Sequence, residues 1–137
     1  RRVLFRSQIG FTTVLTAANA AYDAFAANGV TLFVASTSGS FVQRVRFKAS
    51  GSATATVARV FINNGSSSVT AANNVLFDEI TLAATTATSA SATTTYELPM
   101  NIALPVGYKI LATAGIAPSG AGGGWYVGAV GGSYIPV

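Results

Sequence analysis

From Thr95 to Leu104 the chain alternates without a break. Tyr96, Leu98, Met100, Ile102 and Leu104 form one set, and Glu97, Pro99, Asn101 and Ala103 stand between them. A two-residue period puts the two sets on opposite faces of an extended strand, whereas a helix would scatter them. The same signature recurs along the chain, and it limits the fold more than any other feature. In Phe41–Lys48, Phe41, Val45 and Phe47 (with Gln43) face one way, and Val42, Arg44, Arg46 and Lys48 the other. Thr54–Asn63 presents Ala58, Val60 and Ile62 on one face. Leu76–Leu82 sets Leu76, Ile80 and Leu82 against Phe77, Glu79 and Thr81. With Ile9–Thr16, the apolar run Val30–Ala35, Tyr108–Ala114 and Trp125–Val130, this makes about eight strands.

Turn residues separate them. Asn63-Asn64-Gly65 and Pro105-Val106-Gly107 are strong turn signals, because Asn and Gly tolerate positive φ and Pro presets a turn. Tyr108–Ala114 is expected to form a hairpin with Thr95–Leu104. Pro99 cannot donate to a ladder, so its strand should be an edge or carry a bulge. Ala83–Thr94, uncharged and low in complexity, reads as a long exposed loop or a subunit-contacting arm. Ala117–Gly124 reads as a flexible loop and Gly131–Val137 as a tail. Only Ala17–Ala27 has helix-friendly composition, and Asn19 and Asp23 within it suit a loop or a single helical turn equally well. The fold class expected is all-β: an antiparallel β-sandwich of about eight strands, most simply a jelly roll. An immunoglobulin-like sandwich is the alternative, but its Cys–Trp–Cys core is missing.

The 137 residues suit one domain, 50% hydrophobic and 9% charged, against about 25% charged in an ordinary soluble domain. That hydrophobicity excludes disorder for the body of the chain. No apolar run approaches the roughly 18 residues of a membrane span, so no membrane partner is expected. A chain this poor in charge has a neutral hydroxyl-rich surface or buries much of it against other protein; the second fits a permanent assembly. The start shows no n-region and h-region, so no secretory leader is expected. Arg1–Ser7 (RRVLFRS) looks foreign to the rest of the chain. It resembles the translated sequencing-adapter scars found at the ends of genes from environmental assemblies. We therefore read 1–7 as a non-native or disordered segment and 8–137 as the single domain. The formal charge is +4, but three of the eight basic residues are Arg1, Arg2 and Arg6; the remainder carries five basic against four acidic residues. A nucleic-acid partner is not expected on so small a balance.

Reactive chemistry is sparse. There is no His and no Cys, and the acids are Asp23, Asp78, Glu79 and Glu97. Asp78 and Glu79 are adjacent, so a strand puts them on opposite faces, unlike the facing carboxylates of a glycosidase. No enzyme activity, cofactor or metal is expected; Asn19, Asp23 and Asn28 offer too few carboxylates for calcium. Asp78 or Glu97 should pair with a basic residue on a neighbouring strand or subunit. Arg44, Arg46 and Lys48 stripe one strand face, as a solvated face or a protein interface; no aromatic alternates with them as a single-strand nucleic-acid platform would want. Trp125 and Tyr126 are the other candidate interface residues. With Tyr22, Tyr108 and Tyr134 they could instead stack on sugar rings, the alternative being core packing for Trp125 and interface packing for the tyrosines.

With the strands placed, Ser40–Leu82 (SFVQRVRFKASGSATATVARVFINNGSSSVTAANNVLFDEITL), IGFTTVLTAANAAYDA, YELPMNIALPVGYKI and the closing GWYVGAVGG together resemble a family of small tailed-bacteriophage virion proteins. The likeness covers about residues 8–134. The pattern RVRFKA…ARVFINNG followed by LFDEI is its most specific part and holds no catalytic motif. Ile135-Pro136-Val137 departs from the usual ending. The resemblance implies a virion structural protein, in particular a capsid decoration (cement) protein on the capsid exterior. It also implies the major capsid protein as partner and a homo-oligomer, with a trimer as the expectation. A glycan- or receptor-binding module of a tail fibre or spike is the alternative, and the burial of Trp125 separates the two.

Overall fold

The computed structural model describes residues 4–11, 15–23, 29–118 and 123–135. Eight strands appear there: β1 (Leu4–Phe11), β2 (Val30–Val34), β3 (Ser40–Ala49), β4 (Thr56–Asn63), β5 (Asn74–Leu82), β6 (Thr95–Leu104), β7 (Lys109–Ala114) and β8 (Trp125–Ile135). One short 3-10 turn, Ala71–Asn73, precedes β5. The strands form two four-stranded sheets, ordered β1-β8-β3-β6 and β2-β7-β4-β5. A long hairpin would pair first strand with last, second with seventh, third with sixth and fourth with fifth. All four antiparallel pairs are present. Rolling that hairpin so that alternate pairs fall in opposite sheets adds β3–β8 and β4–β7. The result is the jelly roll.

Inward-facing side chains of both sheets make one core, including Val42, Val45, Phe47, Val60, Leu82, Ile110, Trp125 and Val127. In β6 burial alternates as its sequence does, with Leu98, Met100 and Leu104 buried and Glu97, Pro99, Asn101 and Ala103 exposed. Pro99 is at a sheet edge and beside a bulge, so the missing donor costs no ladder bond.

That bulge overturns the expected faces of β3. From the Val45 row to the Val42 row the chain advances two residues on β8, three on β3 and four on β6. Asn101 takes up part of the excess at φ 51°, a left-handed conformation Asn tolerates. The odd step on β3 turns Val42 into the core at 0% exposed. Phe41 goes to the outer face, where it is half-buried beside Ile9 and Val130. A second bulge at Phe77 does the same to β5. Phe77 and Ile80 pack on the main core, while Leu76 joins Phe61 and Leu111 on the outside of the second sheet.

Three further expectations are corrected. β6 and β7 are not a hairpin, for they lie in different sheets. The Pro105–Gly107 turn is bound to the end of β2, Gly107 N donating to Ala35 O at 3.3 Å and Ala35 N to Tyr108 O at 2.8 Å. This hands the chain across the sandwich. The expected tail is a strand through Ile135, pairing with Leu4–Gln8 and with Ser40–Val42. Gly131 allows it, because a Cβ there would sit 2.2 Å from Phe41 O. Finally, β1 begins at Leu4 rather than Ile9, so residues 4–7 belong to the strand; the expected continuation at 12–14 lies outside the described residues, as do 24–28 and 119–122. Residues 17–23 hold no helix, and 83–94 run as a mostly exposed loop.

Candidate protein-binding face

The outer faces of the two sheets differ. On the second, the β1–β2 connection straps itself across the strands. Asn19 N donates to Ala114 O at 2.7 Å, the Tyr22 ring lies 4.0 Å from the Arg59 guanidinium, and Asn74 Nδ2 donates to Asp23 O at 3.1 Å. Between the last two anchors lie Phe61 and Leu111, both fully buried. Arg59 is buried as well, paired with Glu79 at 3.4 Å. Sequence reasoning missed Arg59. Its only signal was a charge in an otherwise apolar strand, and what covers it comes from a segment about forty residues away in sequence.

Among the described residues, no such strap crosses the first sheet. Its outer face bears Arg44, Arg46 and Lys48 of β3 on successive rows. Arg44 aligns with Val130 and Pro99, Arg46 with Gly128 and Glu97, and Lys48 with Tyr126 and Thr95. Farther out, β1 adds Ile9 beside Val130, 58% exposed. Gly128 contributes no side chain to the middle row, so the face is grooved. The groove measures about 320 Å³, with the basic stripe, Glu97, Tyr126, Ile9 and Val130 among its walls. Arg44, Arg46 and Lys48 share one face, as the strand period implies, and the pairing of β3 with β8 sets Tyr126 beside them. Ile9, Gly128 and Val130 come from other strands, and no local pattern marked them.

Trp125 is not in the groove. It faces the opposite side of β8 from Tyr126, is 0% exposed and meets Tyr96 edge to face at 5.6 Å. Of the tyrosines, Tyr22 is committed to Arg59, Tyr96 packs on the core, and Tyr126 is 52% exposed. Tyr134 meets the exposed Phe5 edge to face at 6.2 Å, eight residues along β8 from Tyr126, so among the described residues Trp125, Tyr126, Tyr22 and Tyr134 do not gather on one platform. Glu79 and Glu97 lie on the outer faces of different sheets, so these carboxylates do not face one another. Among the described residues no three of His, Cys, Asp or Glu gather as metal ligands, and no helix is long and apolar enough to cross a membrane. Of the proposed calcium oxygens, Asn19 Oδ1 accepts from Ala21 N, Asp23 is exposed, and Asn28 lies outside the described residues.

Charge balance decides what the groove can hold. Arg44 Nε lies 3.4 Å from Glu97 Oε1, as expected for a cross-strand pair. Lys48 Nζ donates to Thr93 O, tying the stripe to the long loop. Arg46 is exposed, and no described residue makes an ion pair or hydrogen bond to its guanidinium. Three cations against one carboxylate leave the groove positive.

The two ion pairs have equal lengths and should have unequal energies. Arg44 and Glu97 are 36% and 50% exposed, and such pairs contribute roughly 0–1 kcal/mol. Arg59 is 9% exposed, so losing its partner strands a buried charge. We expect Glu97→Gln to cost under about 1 kcal/mol and Glu79→Gln about 1–3 kcal/mol, discounted because Glu79 itself is half open to water. Urea unfolding of both variants checks this; equal losses would show that burial of Arg59 does not set the difference.

Fold and face together define an antiparallel jelly roll with one strapped outer face and one basic, grooved face that no described segment crosses. No protein-family model and no curated protein matches the chain. Among solved structures, it is similar to a chain in the structure of infectious bursal disease virus Gt strain, at 15% identity and a TM-score of 0.32. The overlap covers 96% of this chain and 31% of that one, so this chain spans about a third of the other's length. A likeness of that size assigns no function.

Proposed function

We propose that the protein is a non-enzymatic bacteriophage virion structural protein. The specific reading is a capsid decoration protein that binds the major capsid protein on the shell exterior and strengthens it. The observation that carries this is the asymmetry of the sandwich: one outer face is strapped by the chain's own connection, and the other is crossed by no described segment and is grooved and positive. The resemblance of residues 8–134 to small tailed-phage virion proteins points the same way. A cement protein stabilises an assembly by mass action, binding the assembled shell and not its dissociated parts, and needs no reactive group. Such proteins commonly assemble with cyclic symmetry, and a trimer at threefold positions suits this role. A low-charge chain whose Ala83–Thr94 loop is long, exposed and uncharged suits contact with sister subunits.

The competing glycan-binding reading needs stacked aromatic rings in an open cleft. Trp125 is in the core, and among the described residues Tyr126 is the one aromatic lining the groove. Cryo-electron microscopy of virions from a phage encoding this chain tests the proposal. Density on the outer shell at capsomer seams is the expected result. Density at the neck or tail tip with none on the shell would sink it.

A further inference from the structure

We propose that the groove on the first sheet receives an extended acidic segment of a different protein. Its carboxylates would sit on Arg46 and Lys48, and its apolar side chains against Ile9 and Val130. This names the chemistry of the partner for the face described above and rests on the reading of that face as a docking surface.

Three observations fix the occupant. The first is charge complementarity. Glu97 is engaged by Arg44, whereas Arg46 is exposed with no partner among the described residues. Lys48 uses one of its three donors on Thr93 O. The second is spacing. Arg44, Arg46 and Lys48 recur at every second residue, about 6.8 Å apart along the strand. Alternate side chains of an extended peptide repeat at that same distance, so alternating acids fall in register with the stripe. The third is the shape and polarity of the walls. Gly128 lowers the floor beside Arg46, and Ile9 and Val130 make the facing wall apolar.

A second copy of this chain does not supply such a segment. Its four acids are Asp23, the adjacent pair Asp78-Glu79, and Glu97, and none alternates with another. Glu79 and Glu97 are also already paired within the fold. A single-stranded nucleic acid matches the charge but finds one ring among the described residues of the groove, Tyr126, where successive bases would each want a stacking partner.

The test uses the full protein, nitrogen-15 labelled, titrated with a decapeptide of alternating Glu and Val. The controls are an alternating Lys–Val peptide and an oligothymidylate of equal length. Shifts centred on the amides of Ile9, Arg46, Lys48 and Gly128 are expected, weakening as ionic strength rises from about 0.05 to 0.5 M. Arg46→Glu should weaken binding by about tenfold or more and Arg46→Gln by less. Lys109→Glu, on the opposite sheet, should leave binding unchanged. Absence of shifts in the groove overturns the proposal. So does an Arg46→Glu protein with a native spectrum that binds as tightly as the parent, or oligothymidylate binding the same amides more tightly than the acidic peptide. Shell density in the virion without peptide binding sinks this inference alone; peptide binding without shell density sinks the decoration reading and leaves the chemistry of the groove standing.

Discussion

Trp125→Ala should remove about 3–5 kcal/mol of stability, a large share of the roughly 5–15 kcal/mol that holds a domain of this kind together. The indole is 0% exposed, and its ring meets Tyr96 edge to face. Its backbone exchanges two hydrogen bonds with Leu15, at 2.9 and 3.2 Å, where the strap begins. Truncation therefore opens a cavity at the junction of β8, β6 and the strap. Trp125→Phe makes an instructive partner. The Trp125 indole N–H is buried without an acceptor among the described residues. An unsatisfied buried donor costs about 1–3 kcal/mol, and Phe removes it. The Phe variant should therefore lose far less than its smaller ring alone implies, at most about 2 kcal/mol. Urea unfolding with an unchanged slope checks both values. If the Phe variant is as unstable as the Ala variant, the indole donor is not orphaned in the folded protein.

Gly131→Val should be nearly as damaging, for the opposite reason. An added Cβ would lie 2.2 Å from Phe41 O and 3.0 Å from Val42 Cα, both backbone atoms that cannot swing away. Overpacking in a rigid site costs about 1–3 kcal/mol or more. Relief would require β8 to part from β3, the central pair of the first sheet. Gly107→Ala separates this steric effect from a conformational one. Gly107 has φ 78° and nothing within 4 Å of a would-be Cβ, so its cost should be the left-handed strain alone, about 1–2 kcal/mol. Hydrogen exchange distinguishes the two variants. Gly131→Val should expose the amides that β3 and β8 share, whereas Gly107→Ala should leave them protected. Equal protection in both would show that β3 and β8 do not approach so closely.

Much of the fold was legible because alternation is local. Each strand needs only its own residues to announce two faces, and six of the eight expected strands both begin and end within about two residues of those observed. Where the faces were wrong, a bulge was the cause. A strict two-residue period put Phe41 on one face with Val45 and Phe47, and Leu76 with Ile80 and Leu82; the extra residues at Gln43 and Phe77 moved them to the other. Bulges are set by the partner's register, so the strand that carries one does not reveal it. Of the two readings of Trp125, core packing is the one observed, and a strand period alone separates it from Tyr126, since neighbours on a strand face opposite ways.

Local sequence was enough to dictate an antiparallel β chain, the places where it turns, the edge position of β6 and the outward-facing basic stripe of β3. Periodicity, turn chemistry and the missing donor of Pro99 supply all of these within a few residues of each feature. Tertiary pairing settled which sheet each strand joined, that β6 hands the chain across the sandwich to β7, and that the β1–β2 connection covers one face and leaves the other open. It also brought Ile9, Gly128 and Val130 to the walls of the groove beside Arg46. The β1–β8 and β3–β8 pairings behind the groove join residues 76 (Ala49↔Trp125) to 131 (Leu4↔Ile135) positions apart, where the free energy comes from closing the whole roll at once.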